Sequence, residues 1–152
     1  MPGSARSASS PSSSTRAVPS SSSRTVDLIG ELAHDSGMAT IFITHDLALA
    51  AEYCDRIVVM HAGHIVETAP GRDLFAHPRH PYSAKLLAAT PGETASLVDL
   101  ASIPGGLPDL RRSDLPACRY SGRCERRLDE CARPLPRRVL GERHMVACWN
   151  PL

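Results

Sequence analysis

Thr40-Ile41-Phe42-Ile43-Thr44-His45-Asp46 decides the fold, because an apolar, β-branched run ends there in a histidine and an aspartate. The run over residues 39–44 predicts a buried strand of a sheet that is covered on both faces. Open α/β sheets build ligand sites from polar residues at the carboxyl ends of such strands. His45 is therefore the first candidate functional residue. On chemistry alone, a lone histidine is better explained as a polar cap on an exposed strand end.

Helical patterns flank this stretch on both sides. Residues 25–36 repeat apolar side chains at three- and four-residue steps and stop at Gly37. A second helix is predicted to begin at Asp46, whose carboxylate suits an N-cap. With the apolar run over residues 57–60, the order strand, helix, strand predicts a β-α-β unit with a right-handed crossover. Cys54, on the second helix, is interpreted as a small core residue.

Turn signals organise the next segment. Ala62-Gly63 predicts a tight turn between the strand at 57–60 and a short returning strand at 65–66. Two short helices are predicted at 71–76 and 81–89, and the two prolines between them, Pro78 and Pro81, lie where a helix may stop or start. His80 lies in the turn between them, and the proline-rich context favours a structural turn that packs on the sheet.

Composition limits the remaining possibilities. Residues 1–24 contain eleven serines and three prolines without hydrophobic periodicity, which predicts a disordered tail. A transit peptide and a wrongly placed start site remain as alternatives. A net charge of +1 and 4% aromatic residues give no argument for nucleic acid. No run approaches the roughly 18–20 apolar residues of a membrane span, so we expect any membrane role to come through partners.

The C-terminal segment carries the second candidate site. Residues 116–152 are poor in aliphatic side chains, and a segment of that composition needs a staple. Four cysteines lie within it: Cys118, Cys124, Cys131 and Cys148. Disulfides and unrelated buried thiols are alternatives, but the absence of an export signal and the clustering favour a four-thiolate metal site. His144 is a possible substitute ligand and is kept outside this set.

The spacing of these cysteines leaves the metal open. Structural zinc usually shows a tight pair of cysteines two to four residues apart, which is absent here. Four widely spaced thiolates also suit an iron–sulfur cluster, although the spacing matches neither common ferredoxin pattern.

The strings Ile-Phe-Ile-Thr-His-Asp-Leu, Ala-Glu-Tyr-Cys-Asp-Arg-Ile-Val-Val-Met and Ala-Gly-His-Ile-Val-Glu resemble the stretch around the switch histidine of ABC-transporter ATPases. The resemblance implies that His45 contacts the γ-phosphate of ATP bound with magnesium. It also implies structural roles for Asp55-Arg56 and for Gly63, the latter at a turn that needs positive φ. The fold class implied is α/β, the C-terminal part of a P-loop (RecA-like) ATPase core followed by a small cysteine-rich appendage.

A narrower resemblance involves His80-Pro81-Tyr82-Ser83, Ile103-Pro104-Gly105 and the ending from His144 to Leu152. These stretches are similar to the ATP-binding subunits of oligopeptide and dipeptide importers. That family implies two permease subunits and a second ATPase subunit as partners, at the cytoplasmic face of the cell membrane. It also implies a [4Fe-4S] cluster on the four cysteines, with zinc as the alternative.

Several motifs of that family do not occur in the sequence. They are the Gly-x-x-x-x-Gly-Lys-Ser/Thr loop, the apolar strand ending in Asp-Glu, the Q-loop and the Leu-Ser-Gly-Gly signature. We therefore expect a tail (1–24), a C-terminal part of an ATPase domain (25–91) and a peptide-transporter-type region with the cysteines (92–152). The chain alone is expected neither to bind ATP in the family's manner nor to hydrolyse it. The rival hypotheses are a non-enzymatic remnant that binds a metal cluster and an inactive product.

Overall fold

A computed structural model describes residues 21–90, 103 and 105–152. The expected tail over residues 1–20, and the linker residues 91–102 and 104, lie outside the described residues. The helices are α1 (Ser21–Ser36), α2 (Leu47–Tyr53), α3 (Gly71–Ala76) and α4 (Pro81–Ala88). The strands are β1 (Arg56–His61), β2 (His64–Pro70), β3 (Arg137–Val139) and β4 (Met145–Ala147). Two short 3-10 turns, Ser121–Arg123 and Asp129–Ala132, lie between α4 and β3.

The chain divides into two compact units after Ala39. The first unit contains α1, which confirms the helix predicted at 25–36 but begins at Ser21, inside the expected tail. Its Leu28 and Leu32 are about three-fifths exposed. The second unit runs from Thr40 to Leu152 and contains the other elements that the structure describes. Within the described ranges, no helix has both the length and the apolar character needed to cross a bilayer.

The buried strand predicted over residues 39–44 is wrong for this structure. The backbone there forms no strand, and Ile41 and Ile43 are 90% and 92% exposed. A strand is stable only when a neighbouring backbone satisfies its N–H and C=O groups. The four described strands pair only with one another, in the order β1-β2-β4-β3 and always antiparallel. The predicted β-α-β crossover is therefore also wrong over the described residues.

Helix α2 follows the sequence pattern closely. The side chain of Asp46 accepts hydrogen bonds from the backbone N–H of Ala48 (2.9 Å) and of Leu49 (3.2 Å). These bonds satisfy two of the donors that the first turn of a helix leaves without intrahelical partners, so Asp46 is the predicted N-cap. Ala50 is buried, and Cys54 packs against the same core, as expected for a small core residue.

Strands β1 and β2 form the predicted hairpin around Ala62 and Gly63. Both turn residues have positive φ, 50° at Ala62 and 81° at Gly63, which is the geometry of a two-residue type I′ turn. Its backbone twist matches that of the flanking strands. The expected role of Gly63 is confirmed, whereas positive φ at an alanine was not predicted.

Helices α3 and α4 confirm the two short helices predicted from sequence. The start of α3 lies close to the end of α2, and the Gly71 N–H donates to the Asp55 carbonyl at 3.1 Å. A Cβ on Gly71 would lie 2.8 Å from the backbone oxygen of Cys54, so only glycine fits this contact. The apolar core between hairpin and helices consists of Ala50, Ile57, Val59, Val66, Ala69 and Leu74.

The cysteine-bearing segment belongs to the same sheet as the hairpin. Strand β4 pairs with β2, with Glu67 opposite Val146 and Thr68 opposite Met145. Val146 is fully buried at this junction. The expected appendage therefore shares one compact unit and one sheet with the segment that precedes it.

Candidate functional site

His45 lies at the surface, directly before the N-cap of α2. The N–H of Asp46 donates to Oγ1 of Thr44 at 2.9 Å, which fixes the backbone that presents the histidine. The imidazole is exposed and therefore accessible to a ligand from solvent. Within the described part of the chain, no hydrogen bond or ion pair joins it to the cysteines.

The structure brings the four cysteines of the C-terminal segment together. Cys118, Cys131 and Cys148 are buried, Cys124 is half-buried, and all four are free thiols. The Cys118 N–H donates to the Cys131 carbonyl at 3.2 Å, and both side chains share a small core with Tyr120. The disulfide alternative is not realised in this arrangement.

Backbone hydrogen bonds are directed at the sulfur atoms. The Leu128 N–H donates to Sγ of Cys131 at 3.4 Å. Backbone groups two residues beyond the other three cysteines, at Tyr120, Arg126 and Asn150, hydrogen-bond to those thiols and favour their charged forms. Donors of this kind stabilise thiolates and tune thiolate-bound metals.

Burial opposes ionisation of the thiols. It raises the pKa of Cys118 to about 11, and it also raises the pKa of Cys124 and Cys148. Within the described ranges, no three histidine, cysteine, aspartate or glutamate side chains meet at the spacing that a metal ion requires. The donor set therefore matches a thiolate site in chemistry, while the side chains do not converge in metal-binding geometry.

A buried carboxylate joins three parts of the second unit. Glu67 is 1% exposed on β2, and its carboxylate accepts the backbone N–H of Arg79 at 2.6 Å and of His80 at 2.9 Å. Nε2 of His144 lies 2.6 Å from the same carboxylate. Because a buried charge is stable only when it is paired and hydrogen-bonded, these contacts hold the α3–α4 turn and the segment before β4 on β2. His144 is thus engaged by Glu67, outside the cysteine set.

His80 has the structural role expected from its sequence context. Its Nδ1 accepts the N–H of Tyr82 at 3.0 Å, which caps α4, and Pro81 occupies the first turn. The ring packs beside Tyr120, with centroids 6.1 Å apart. Burial is the main cause that lowers the pKa of His80, to about 4. The imidazole is therefore neutral near pH 7.

Polar contacts also fix the cysteine-bearing segment on the hairpin and on α4. The guanidinium of Arg119 donates to the Ala62 carbonyl at the hairpin turn. Nζ of Lys85, on α4, lies 2.7 Å from the Glu125 carboxylate. The second pair is exposed and contributes little to stability, but it orients the segment between Cys124 and Cys131.

Sequence reasoning missed Glu67, His61 and Tyr120. A single glutamate in a short strand usually faces solvent, and only its position after the apolar pair Ile65-Val66 hinted at burial. Its partners lie 12 to 77 residues away in the chain, so no local pattern could identify them.

The part of the chain that contains Glu67 and the α3–α4 turn matches a known protein region. A family model described as the oligopeptide/dipeptide transporter, C-terminal region, matches residues 66–131. Residues 66–131 are similar to the C-terminal region of oligopeptide and dipeptide transporters. The predicted resemblance is confirmed, and the match begins one residue before Glu67 and ends at Cys131.

Curated relatives extend the similarity beyond residues 66–131. A protein of Sinorhizobium fredii named as a probable peptide ABC transporter ATP-binding protein, y4tR, is 42% identical over 127 residues, covering 81% of this chain and 37% of its own length. The dipeptide transport ATP-binding protein DppD of Bacillus subtilis is 35% identical, with 82% and 37% covered. The oligopeptide transport ATP-binding protein OppD of Salmonella typhimurium is 36% identical, with the same coverage. The chain thus spans little more than a third of the length of these relatives.

Proposed function

We propose that this chain provides the C-terminal part of an ATP-binding subunit that energises the uptake of di- or oligopeptides through an ABC importer. The observation that carries the proposal is the family match over residues 66–131. In the structure, this region includes Glu67 and the turn that Glu67 holds in place. The names of DppD and OppD supply the peptide class of the cargo.

His45 has the chemistry that this role requires. An exposed imidazole can donate a hydrogen bond to a phosphate oxygen and help to position an attacking water, and phosphoryl transfer depends mainly on such positioning and on charge stabilisation. ATP with magnesium is the cofactor that the family implies. Residues other than His45 would have to bind most of the nucleotide. Two permease subunits and a second ATPase subunit at the cytoplasmic face of the membrane complete the proposed assembly.

A chimera tests this proposal. Residues 40–152 would replace the corresponding C-terminal part of the dipeptide transport protein DppD, and peptide uptake would be measured in cells that lack DppD. We expect uptake to be restored, and His45→Ala in the same chimera to reduce it at least tenfold. His64→Ala provides a matched control, because His64 is a partly exposed hairpin residue with no proposed role. A correctly expressed chimera without uptake would overturn the proposal.

The chain on its own is a different case. The phosphate-binding motifs named above do not occur in its sequence, so we expect no magnesium-dependent ATP turnover by the isolated 152 residues. Turnover above that of a buffer control, and abolished by EDTA, would contradict this expectation.

A second candidate function is binding of a metal cluster by the four cysteines. Its support is the chemistry of the donor set, four free thiols with backbone groups hydrogen-bonded to their sulfur atoms. Among the described residues the thiols are not at the spacing that a metal ion requires, so binding would have to draw them closer together. Cys118, Cys124, Cys131 and Cys148 would hold a [4Fe-4S] cluster, or zinc as the alternative. Either group would act as a staple for a segment with a small core.

Anaerobic purification followed by metal analysis and absorption spectroscopy tests this second function. We expect iron and sulfide with a broad absorption near 400 nm. Stoichiometric zinc without a chromophore would exclude iron–sulfur, and the absence of both metals would exclude the metal site. The outcome does not bear on peptide uptake, so the two proposals fail independently.

A further inference from the structure

Two buried histidines carry nitrogen atoms without partners. His61 is 3% exposed and His80 is 1% exposed. Within the described residues, Nε2 of each has no hydrogen-bond partner. Both rings lie against Tyr120, with centroid distances of 5.3 Å and 6.1 Å. Leaving a buried polar atom unsatisfied is costly, so each such nitrogen requires an explanation.

The contacts of His80 determine where its proton resides. Nδ1 accepts the N–H of Tyr82 at 3.0 Å, so Nδ1 carries a lone pair. Burial keeps this imidazole neutral, because it lowers the pKa to about 4. A neutral imidazole with an acceptor at Nδ1 must carry its hydrogen on Nε2. The unpartnered atom of His80 is therefore a hydrogen-bond donor.

His61 has the opposite tautomer. A backbone group of Arg119 hydrogen-bonds to its ring and favours the protonated imidazole, as a carbonyl acceptor does. Because Nε2 is the atom without a partner, the ring atom that donates to this carbonyl is Nδ1. Burial lowers the pKa of His61 as well, so the ring is neutral and Nε2 is a bare acceptor.

We propose that one buried water molecule binds between these histidines, accepting from Nε2–H of His80 and donating to Nε2 of His61. Buried waters typically make two to four hydrogen bonds to groups that lack other partners. Oγ of Ser83, on α4, is likewise 1% exposed and without a partner among the described residues. A metal ion does not fit, because Nε2 of His80 is protonated.

This water site lies where three parts of the fold meet. His61 ends β1, His80 is the N-cap of α4, and Arg119 and Tyr120 belong to the cysteine-bearing segment. The water connects the hairpin to the start of α4, and the Arg119 carbonyl continues the hydrogen-bond chain to residues beside Cys118. The proposed water thus links polar groups of these three elements, which otherwise contact one another through aromatic rings.

Nitrogen NMR of the full 152-residue chain, uniformly labelled with ¹⁵N, tests the proposal near pH 7. We expect the Nε2–H tautomer at His80, the Nδ1–H tautomer at His61, and a nuclear Overhauser effect between the His80 Hε2 and a long-lived water. Identical tautomers at the two rings would overturn the proposal, as would a protected Hε2 without a water signal.

Three variants sharpen the test. His61→Phe removes the acceptor and should abolish the water signal and speed exchange of the His80 Hε2 at least tenfold. His61→Gln places an amide oxygen near the position of Nε2 and should retain the signal. His64→Phe, at the position paired with His61 across the hairpin turn, is the control and should change neither observable. If His61→Phe fails to fold, the tautomers of the unmodified chain decide the question. Persistence of the water signal in a folded His61→Phe chain would overturn the proposal.

Discussion

The carboxylate of Glu67 lies 2.6 Å from Nε2 of His144, although the two residues are 77 positions apart in the chain. The glutamate side chain is fully buried, and the histidine side chain is 9% exposed. Two backbone N–H groups of the α3–α4 turn share the same carboxylate. One side chain of β2 therefore holds both the His-Pro-Tyr turn and the segment before β4.

Replacing this carboxyl group should destabilise the second unit. In Glu67→Gln, an amide N–H₂ would replace an oxygen that now accepts a hydrogen bond, so at least one buried donor would lose its partner. We expect a loss of about 1–3 kcal/mol in the free energy of unfolding, the cost of leaving a buried hydrogen-bond donor without its partner. Urea denaturation followed by circular dichroism measures the change.

Glu142→Gln is the control for this substitution, since Glu142 is exposed and should change stability by less than about 0.5 kcal/mol. Equal urea midpoints for Glu67→Gln and Glu142→Gln would show that the buried contacts contribute nothing measurable.

Acidification should weaken the fold through His80. Its pKa falls from the ordinary 6.5 to about 4, mainly because of burial. The unfolded chain therefore takes up a proton that the folded chain excludes, and stability is complete above pH 6.5 and declines as the pH falls towards 4. Between pH 7 and pH 5 we expect the titration of His80 to lower the free energy of unfolding by about 2 kcal/mol, at 1.36 kcal/mol for each pKa unit.

His80→Asn isolates this effect from other titrating groups. Asparagine retains a side-chain acceptor for the helix cap but does not titrate. The loss of stability between pH 7 and pH 5, measured by urea denaturation, should be about 2 kcal/mol smaller in the variant. Parallel pH profiles for the two proteins would refute the assignment of this effect to His80.

Gly71→Ala should disturb the contact between the ends of α2 and α3. The new Cβ would lie 2.8 Å from the Cys54 backbone oxygen, and a backbone atom cannot rotate away as a flexible side chain can. We expect destabilisation of about 1–3 kcal/mol, typical of overpacking. Gly106→Ala meets no atom within 4 Å and should be nearly neutral. Thermal unfolding compares the two variants, and equal melting temperatures would contradict the expectation.

The metal proposal gives a prediction with an internal control. Cys131→Ser should remove most of the iron or zinc that copurifies with the chain, because the buried Cys131 is one of the four candidate ligands. Cys54→Ser should leave the metal content unchanged, because Cys54 packs against the hairpin core. Metal per chain is measured by plasma mass spectrometry after anaerobic purification, and equal losses in both variants would argue against the proposed ligand set.

Local signals in the sequence predicted the local structure well. The Asp46 cap, the turn at Ala62-Gly63 and helices α3 and α4 depend on interactions between residues a few positions apart. The apolar run over residues 39–44 has the composition of a strand, but a strand also requires a partner, which composition does not specify.

In the candidate site, too, features that depend on neighbouring residues were predicted from the sequence, and contacts between distant residues were not. The grouping of the cysteines was predicted from their density in a segment with a small core. Cys118, Cys124 and Cys131 share one small core in the structure, and a metal site on the four cysteines stays a prediction. The Glu67–His144 pair was not predictable, because a buried charge depends on donors that arrive from distant parts of the chain. The pairing of β2 with β4 could not be predicted either, because the two strands are far apart in the sequence.

That pairing has a consequence for the order of folding. Strand β4 contributes residues 145–147, so the inner edge of β2 stays without its neighbour until nearly all 152 residues have been synthesised. The hairpin and the caps of α2 and α4 involve short loops and can form early, whereas a contact across 77 residues pays a larger loop-closure entropy. Docking of β4 therefore closes a longer loop than the hairpin does, and until it occurs the edge of β2 that pairs with β4 has unpaired backbone groups.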